Sequence, residues 1–80
     1  MKEHTDELLV TQIVGICFKN PRTIEEITKR IYSNGYAKNI LRVYQCCEIL
    51  LGHGVLVPKF QNNQLRFQVN QDMLLGQKRG

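Results

Sequence analysis

Apolar positions recur first at helical spacing and then, past residue 54, at every second residue. Leu8, Leu9, Ile13, Ile16 and Cys17 mark one arc, widened by Val10, Val14 and Phe18, which is the recurrence of an amphipathic helix. Thr5 is a candidate N-cap with Asp6 and Glu7 in the first turn, and Lys19-Asn20 closes the segment before Pro21. A second stripe, Ile24, Ile27 and Ile31, follows the capping-box pair Thr23 and Glu26. Its wet side holds Glu25 with Lys29 and Glu26 with Arg30, at the four-residue spacing of helix ion pairs. Ser33-Asn34-Gly35 breaks the pattern, and a third stripe begins: Ile40, Val43, Tyr44, Cys47, Leu50 and Leu51, with Lys38, Arg42, Gln45 and Glu48 largely opposite. The spacing predicts helices over 6–19, 24–33 and 37–51, the last stopped by Gly52 and Gly54.

Segments 55–60 and 65–69 read as antiparallel strands of a hairpin over 55–69, joined by Gln61-Asn62-Asn63-Gln64. A turn at Asn62-Asn63 sets Phe60 opposite Leu65, Pro58 opposite Phe67 and Leu56 opposite Val69. The two-residue alternation then turns Leu56, Phe60, Leu65, Phe67 and Val69 toward the helices, and Lys59, Arg66 and Gln68 outward. Pro58, lacking an amide donor, marks an edge strand. Ile27, Ile31, Val43, Tyr44, Cys47, Leu50, Phe60 and Phe67 are expected in the core.

Three helices, a hairpin and room for a very short strand at Pro21-Arg22-Thr23 make an α+β domain, a winged helix-turn-helix whose third helix is the recognition helix. Eighty residues suit one domain over 1–80, with its core over about 6–69. Residues 70–80 form a tail in which Met73-Leu74-Leu75 either adds a helical turn or opens a further segment.

Composition narrows the function by exclusion. A formal charge of +4 permits a nucleic-acid partner without requiring one. The three cysteines, Cys17, Cys46 and Cys47, are odd in number and contain no CxxC pair, so they read as small core residues of a nuclear or other reducing intracellular compartment, Cys46 being the more exposed. No signal peptide or membrane span is visible, so no membrane partner is expected. His4 and His53 stand alone, Ser33 has no evident base, and Gly52 and Gly54 follow a helix where a phosphate loop would follow a strand. No catalytic residue, cofactor, metal site or small-molecule substrate is expected, and the chain does not read as an enzyme.

The remaining chemistry lies on the third helix and the hairpin. Arg42 and the amide Gln45 can face base edges with Lys38 and Asn39 nearby, while Lys59, Asn62 and Arg66 can touch phosphates from the wing. Leu41 and Ile49, apolar on the same outward side, fit a second class of function, docking of a protein partner or dimer. Both classes stay open on these residues.

The stretch from Arg42 through Tyr44, Gln45, Ile49, Leu50 and Gly52 to Val55-Leu56 resembles the recognition helix of the cell-cycle winged-helix transcription factors that pair with dimerisation-partner (DP) proteins. That family carries Arg-Arg-x-Tyr-Asp, an apolar helix, a glycine turn and two aliphatic residues. Arg42 and Tyr44 match the second arginine and the tyrosine, Leu41 stands at the first arginine, and Gln45 stands at the aspartate. Residues 8–14 are similar to the family's first helix, and Asn62-Asn63-Gln64-Leu65-Arg66-Phe67 is similar to its Lys-Asn-x-Ile-x-Trp wing. The resemblance covers about residues 8–67 and implies duplex-DNA binding and transcription regulation, with Arg42 at a guanine of a GC-rich site. It also implies a dimerising coiled coil after the wing.

Overall fold

A computed structural model describes residues 7–72. Helices α1 (Glu7–Lys19), α2 (Ile24–Ile31) and α3 (Tyr36–Gly52) precede an antiparallel hairpin of β1 (Leu56–Gln61) and β2 (Gln64–Val69). This is the winged helix-turn-helix arrangement. The expected cap Thr5 and the segment Met73–Leu75 lie outside the described residues.

α1 turns Leu9, Ile13 and Cys17 inward and ends before Pro21. The connector then runs beside β2 for one residue. Arg22 N–H donates to the Phe67 carbonyl at 3.0 Å, and Phe67 N–H donates to the Arg22 carbonyl at 2.8 Å, so the expected short strand is a single bridge. α2 starts with a full capping box: the Thr23 hydroxyl accepts from Glu26 N–H, and the Glu26 carboxylate accepts from Thr23 N–H, both at 3.2 Å. Thr28 is buried on α2, and its hydroxyl is satisfied by the Ile24 carbonyl at 2.7 Å. α2 stops at Ile31, two residues short of expectation, where Tyr32 N–H donates to the Thr28 carbonyl from non-helical backbone.

α3 is the longest element, fixed to the core by Val43, Cys46, Cys47 and Leu50. Its end is a Schellman motif. Val55 N–H donates to the Leu50 carbonyl at 2.9 Å and Gly54 N–H to the Leu51 carbonyl at 3.1 Å. Gly54 takes φ 77°, open to glycine without a Cβ clash, whereas Gly52 stays in the helix. Asn70 closes this corner, donating from its side chain to the Gly54 carbonyl and from its backbone to the Val55 carbonyl.

The hairpin register is the expected one: Leu56 opposite Val69, Pro58 opposite Phe67, and Phe60 opposite Leu65. Asn62 (φ 51°) and Asn63 (φ 63°) form the two-residue turn in left-handed conformations that asparagine tolerates and that match strand twist. Because both backbone groups of Phe67 point at Arg22, the Pro58–Phe67 pair is a non-hydrogen-bonded one. The nitrogen of Pro58 therefore faces the open edge of β1, where a missing donor costs nothing and discourages pairing with another strand.

The core joins Leu9, Ile13, Cys17, Ile27, Val43, Cys46, Cys47, Leu50, Leu56, Phe67 and Val69. Five expectations are corrected, at Phe60, Leu65, Tyr44, Cys46 and Ile31. Phe60 (74 % exposed) and Leu65 (46 %) share a face with buried Phe67 but lie beyond the helices that cover it. Successive same-face positions step about 6.5 Å along a strand, so one pair further out clears the helical layer. Tyr44 is 41 % exposed and Cys46 only 5 %, the reverse of the expected order. The buried arc of α3 centres near Leu50, with Cys46 about 40° and Tyr44 about 120° away from it. Ile31 packs against the core from a half-buried position.

Candidate nucleic-acid interface

The α2–turn–α3 unit presents the outward side of α3. Lys38, Arg42 and Gln45 are exposed there, one turn apart, on the side opposite Val43, Cys47 and Leu50. The turn into α3 is tied by the Lys29 ammonium, 5.0 Å from the Tyr36 ring centroid. Asn39 serves this start, its side-chain amide donating to the Gly35 carbonyl at 2.7 Å. That bond holds Asn39 half-buried at the helix entrance and turns its donor inward.

The same outward side is also apolar. Leu41 (62 % exposed) and Ile49 (44 %) are open, as expected, and Tyr44 joins them. The Tyr44 hydroxyl is held above its ordinary pKa of 10, first by its hydrogen bond to the Glu48 carboxylate and then by that charge. Glu48 is the one acidic residue among the exposed side chains of α3.

On the wing, Lys59 is exposed on β1 and Asn62 is exposed in the turn. Arg66 is placed differently. One guanidinium nitrogen donates to the Glu26 carboxylate at 3.0 Å and to the Pro21 carbonyl at 3.3 Å, and another donates to the Gln64 side chain at 3.0 Å. Arg66 thus ties the wing to the start of α2 through the carboxylate that caps that helix. Of the seven nucleic-acid candidates, Lys38, Arg42, Gln45, Lys59 and Asn62 are exposed, and Asn39 and Arg66 are half-buried and hold the scaffold.

The thiols stand apart from this face. Burial pushes the Cys47 thiol up to about 12, helped by neighbouring Cys17 and Cys46, and pushes Cys17 to about 11 against the opposing charge of Arg22. Buried neutral thiols are poor nucleophiles and poor metal ligands. Among the described residues no group of His, Cys, Asp and Glu could hold a metal ion, and no helix is long and apolar enough to cross a membrane. His53 sits at the C-cap of α3, exposed.

Sequence reasoning missed the exposed pair Phe60 and Leu65. The signal available was strand length: six-residue strands extend about 20 Å, longer than a small helical layer covers. No protein-family model, curated protein or solved structure matches the chain.

Proposed function

We propose that this domain binds double-stranded DNA through α3, with the wing alongside, and acts in transcription regulation in a nuclear or other reducing compartment. The observation that carries the reading is the placement of Lys38, Arg42 and Gln45 on one exposed stripe of a helix whose other side is locked into the core. An α-helix fits the major groove, arginine can pair with guanine O6 and N7, and glutamine can pair with adenine N6 and N7. From Lys38 to Gln45 the stripe runs about 10 Å, the length of about three base pairs. Lys59 and Asn62 then lie on the wing as phosphate contacts. The likeness of Arg42-x-Tyr44 to the cell-cycle factors supports the same role for Arg42. The reading involves no catalysis and no cofactor.

The test is selection and titration with a random duplex pool at two salt concentrations. Wild type enriches a sequence, Arg42→Ala relaxes that preference, and Lys59→Ala weakens all duplexes alike. Log K falls by about 0.9 per neutralised phosphate per log unit of salt. Salt-sensitive sticking with no enrichment, unchanged in Arg42→Ala, overturns the proposal.

A second reading rests on open apolar side chains, Leu41, Tyr44 and Ile49 on α3 and Phe60 and Leu65 on the wing. Such a surface suits a protein partner or a dimer. Leu41→Ala separates the two, since it abolishes docking while leaving DNA enrichment in place.

A further inference from the structure

The fold gathers a second surface lined by no residue of α3 or the wing. A cleft of about 640 Å³, open to solvent, lies along the outer side of α1 and the end of α2. Its apolar lining comes from Ile16, Phe18 and Ile31, and its cations are Lys19, Arg22 and Arg30. No acidic residue lines it.

Three observations point to an occupant. The first is charge: three cations from three separate segments converge with no carboxylate among the lining residues to neutralise them. Glu26, four residues from both Arg22 and Arg30, is bonded instead to Arg66 and Thr23. The second is an unmet donor. The Arg22 Nε is buried without a hydrogen-bond partner among the described residues, and an unpaired buried N–H calls for an acceptor. The third is Gly15, which lines the cleft on an exposed turn of α1. Glycine inside a helix is unfavourable relative to alanine, and nothing in the domain lies within 4 Å of where its Cβ would be. The bare backbone leaves the cleft open to close approach.

We propose that this cleft is the docking site for an acidic, amphipathic peptide segment of a partner protein. Its apolar side chains seat on Ile16, Phe18 and Ile31, and its carboxylates pair with Lys19, Arg22 and Arg30. The apolar lining favours a peptide over a nucleic-acid backbone, because phosphates gain nothing from Ile16 and Ile31. The volume lies within the range of about 300–1,000 Å³ typical of ligand pockets, and a groove between helices is a recurrent seat for amphipathic helices. Since none of its lining residues is on α3 or the hairpin, the cleft can be filled while the α3 face is engaged.

The test is selection of a phage-displayed library of random 15-residue peptides on the immobilised 80-residue domain. The strongest binders are then synthesised and titrated by fluorescence anisotropy. The expected pool is enriched in Asp and Glu interleaved with Leu, Ile or Phe at helical spacing. Gly15→Leu fills the cleft while favouring the helix, and it should lose at least tenfold in affinity with its melting temperature kept. Arg30→Glu, at an exposed position, should lose a similar factor, and Lys38→Ala should bind as wild type. A pool without acidic bias, no enriched pool, or binders that take Gly15→Leu as well as wild type overturns the proposal. So does displacement of the peptide by equimolar duplex that Arg30→Glu abolishes, which would mark the cleft as a phosphate site.

Discussion

Phe60 and Phe67 are the same residue type, on the same face of the same hairpin, yet one is 74 % exposed and the other 1 %. Truncating each to alanine measures how far the helices cover the wing. Phe67 lies opposite Pro58, carries the backbone bridge to Arg22, and packs within the core cluster. Removing a buried phenyl ring costs about 3–5 kcal/mol through lost transfer energy and the cavity left behind. Phe60 meets its cross-strand neighbour Leu65 in solvent, and such a pair is worth about 0.2–1 kcal/mol. At about 0.05–0.15 kcal/mol per residue, a domain of this size has roughly 4–12 kcal/mol in all, so Phe67→Ala removes a large share of it. In melting temperature, at about 4–8 °C per kcal/mol, Phe67→Ala drops by more than about 12 °C and Phe60→Ala by less than about 8 °C. Circular dichroism at 222 nm against temperature, repeated in urea, reads both. Phe67→Leu, which keeps most of the apolar volume, is the gentler variant should the alanine form be unfolded at the outset. Equal losses for Phe60→Ala and Phe67→Ala would refute the placement of the wing tip beyond the core.

Three further outcomes follow from particular contacts. Glu26→Ala removes both the capping-box acceptor and the partner of Arg66, and should cost about 1–3 kcal/mol in urea denaturation; a cost no larger than that of Glu25→Ala would show the ion pair and cap to be unimportant. Gly54→Ala forces a Cβ into the left-handed C-cap and should cost about 1–2 kcal/mol, whereas Gly52→Ala, in open helical backbone, should stabilise; equal effects would contradict the Schellman end of α3. The Cys17 and Cys47 thiols ionise at about 11 and 12 when folded and near 9 when unfolded. The unfolded chain therefore releases protons first, so the stability they contribute is whole below pH 9 and is lost as pH rises from 9 toward 12. A melting temperature measured across that range should fall less steeply in Cys47→Val than in wild type, and identical slopes would contradict the burial of that thiol.

The helices and the hairpin register were legible because their causes are local. Thr23 and Glu26 announce the start of α2, Gly54 announces the end of α3, and a strand's two-residue period leaves one pairing once Asn62-Asn63 is the turn. What the sequence did not disclose depends on neighbours remote along the chain. Whether Tyr44 or Cys46 is buried depends on which arc of α3 the other elements cover, and both flank the same stripe. Arg66 reads as an outward cation on a strand, and only the fold brings Glu26 and the Pro21 carbonyl to it. Asn39 reads as a base-reading amide until Gly35, one turn earlier, is seen to take its donor. The α1–α2 cleft lies wholly within residues 11–31, yet its cations come from α1, the connector and α2, and only the packing of those segments brings them to one cleft.

The claim that α3 is a DNA-reading helix is tested most directly by amide chemical-shift mapping during titration with the duplex enriched by wild-type selection. The account predicts shifts concentrated at Lys38, Leu41, Arg42 and Gln45, with a second group at Lys59 and Asn62, and little change along Thr11–Lys19. Shifts absent from α3, or confined to the cleft side of α1 and α2, would contradict it.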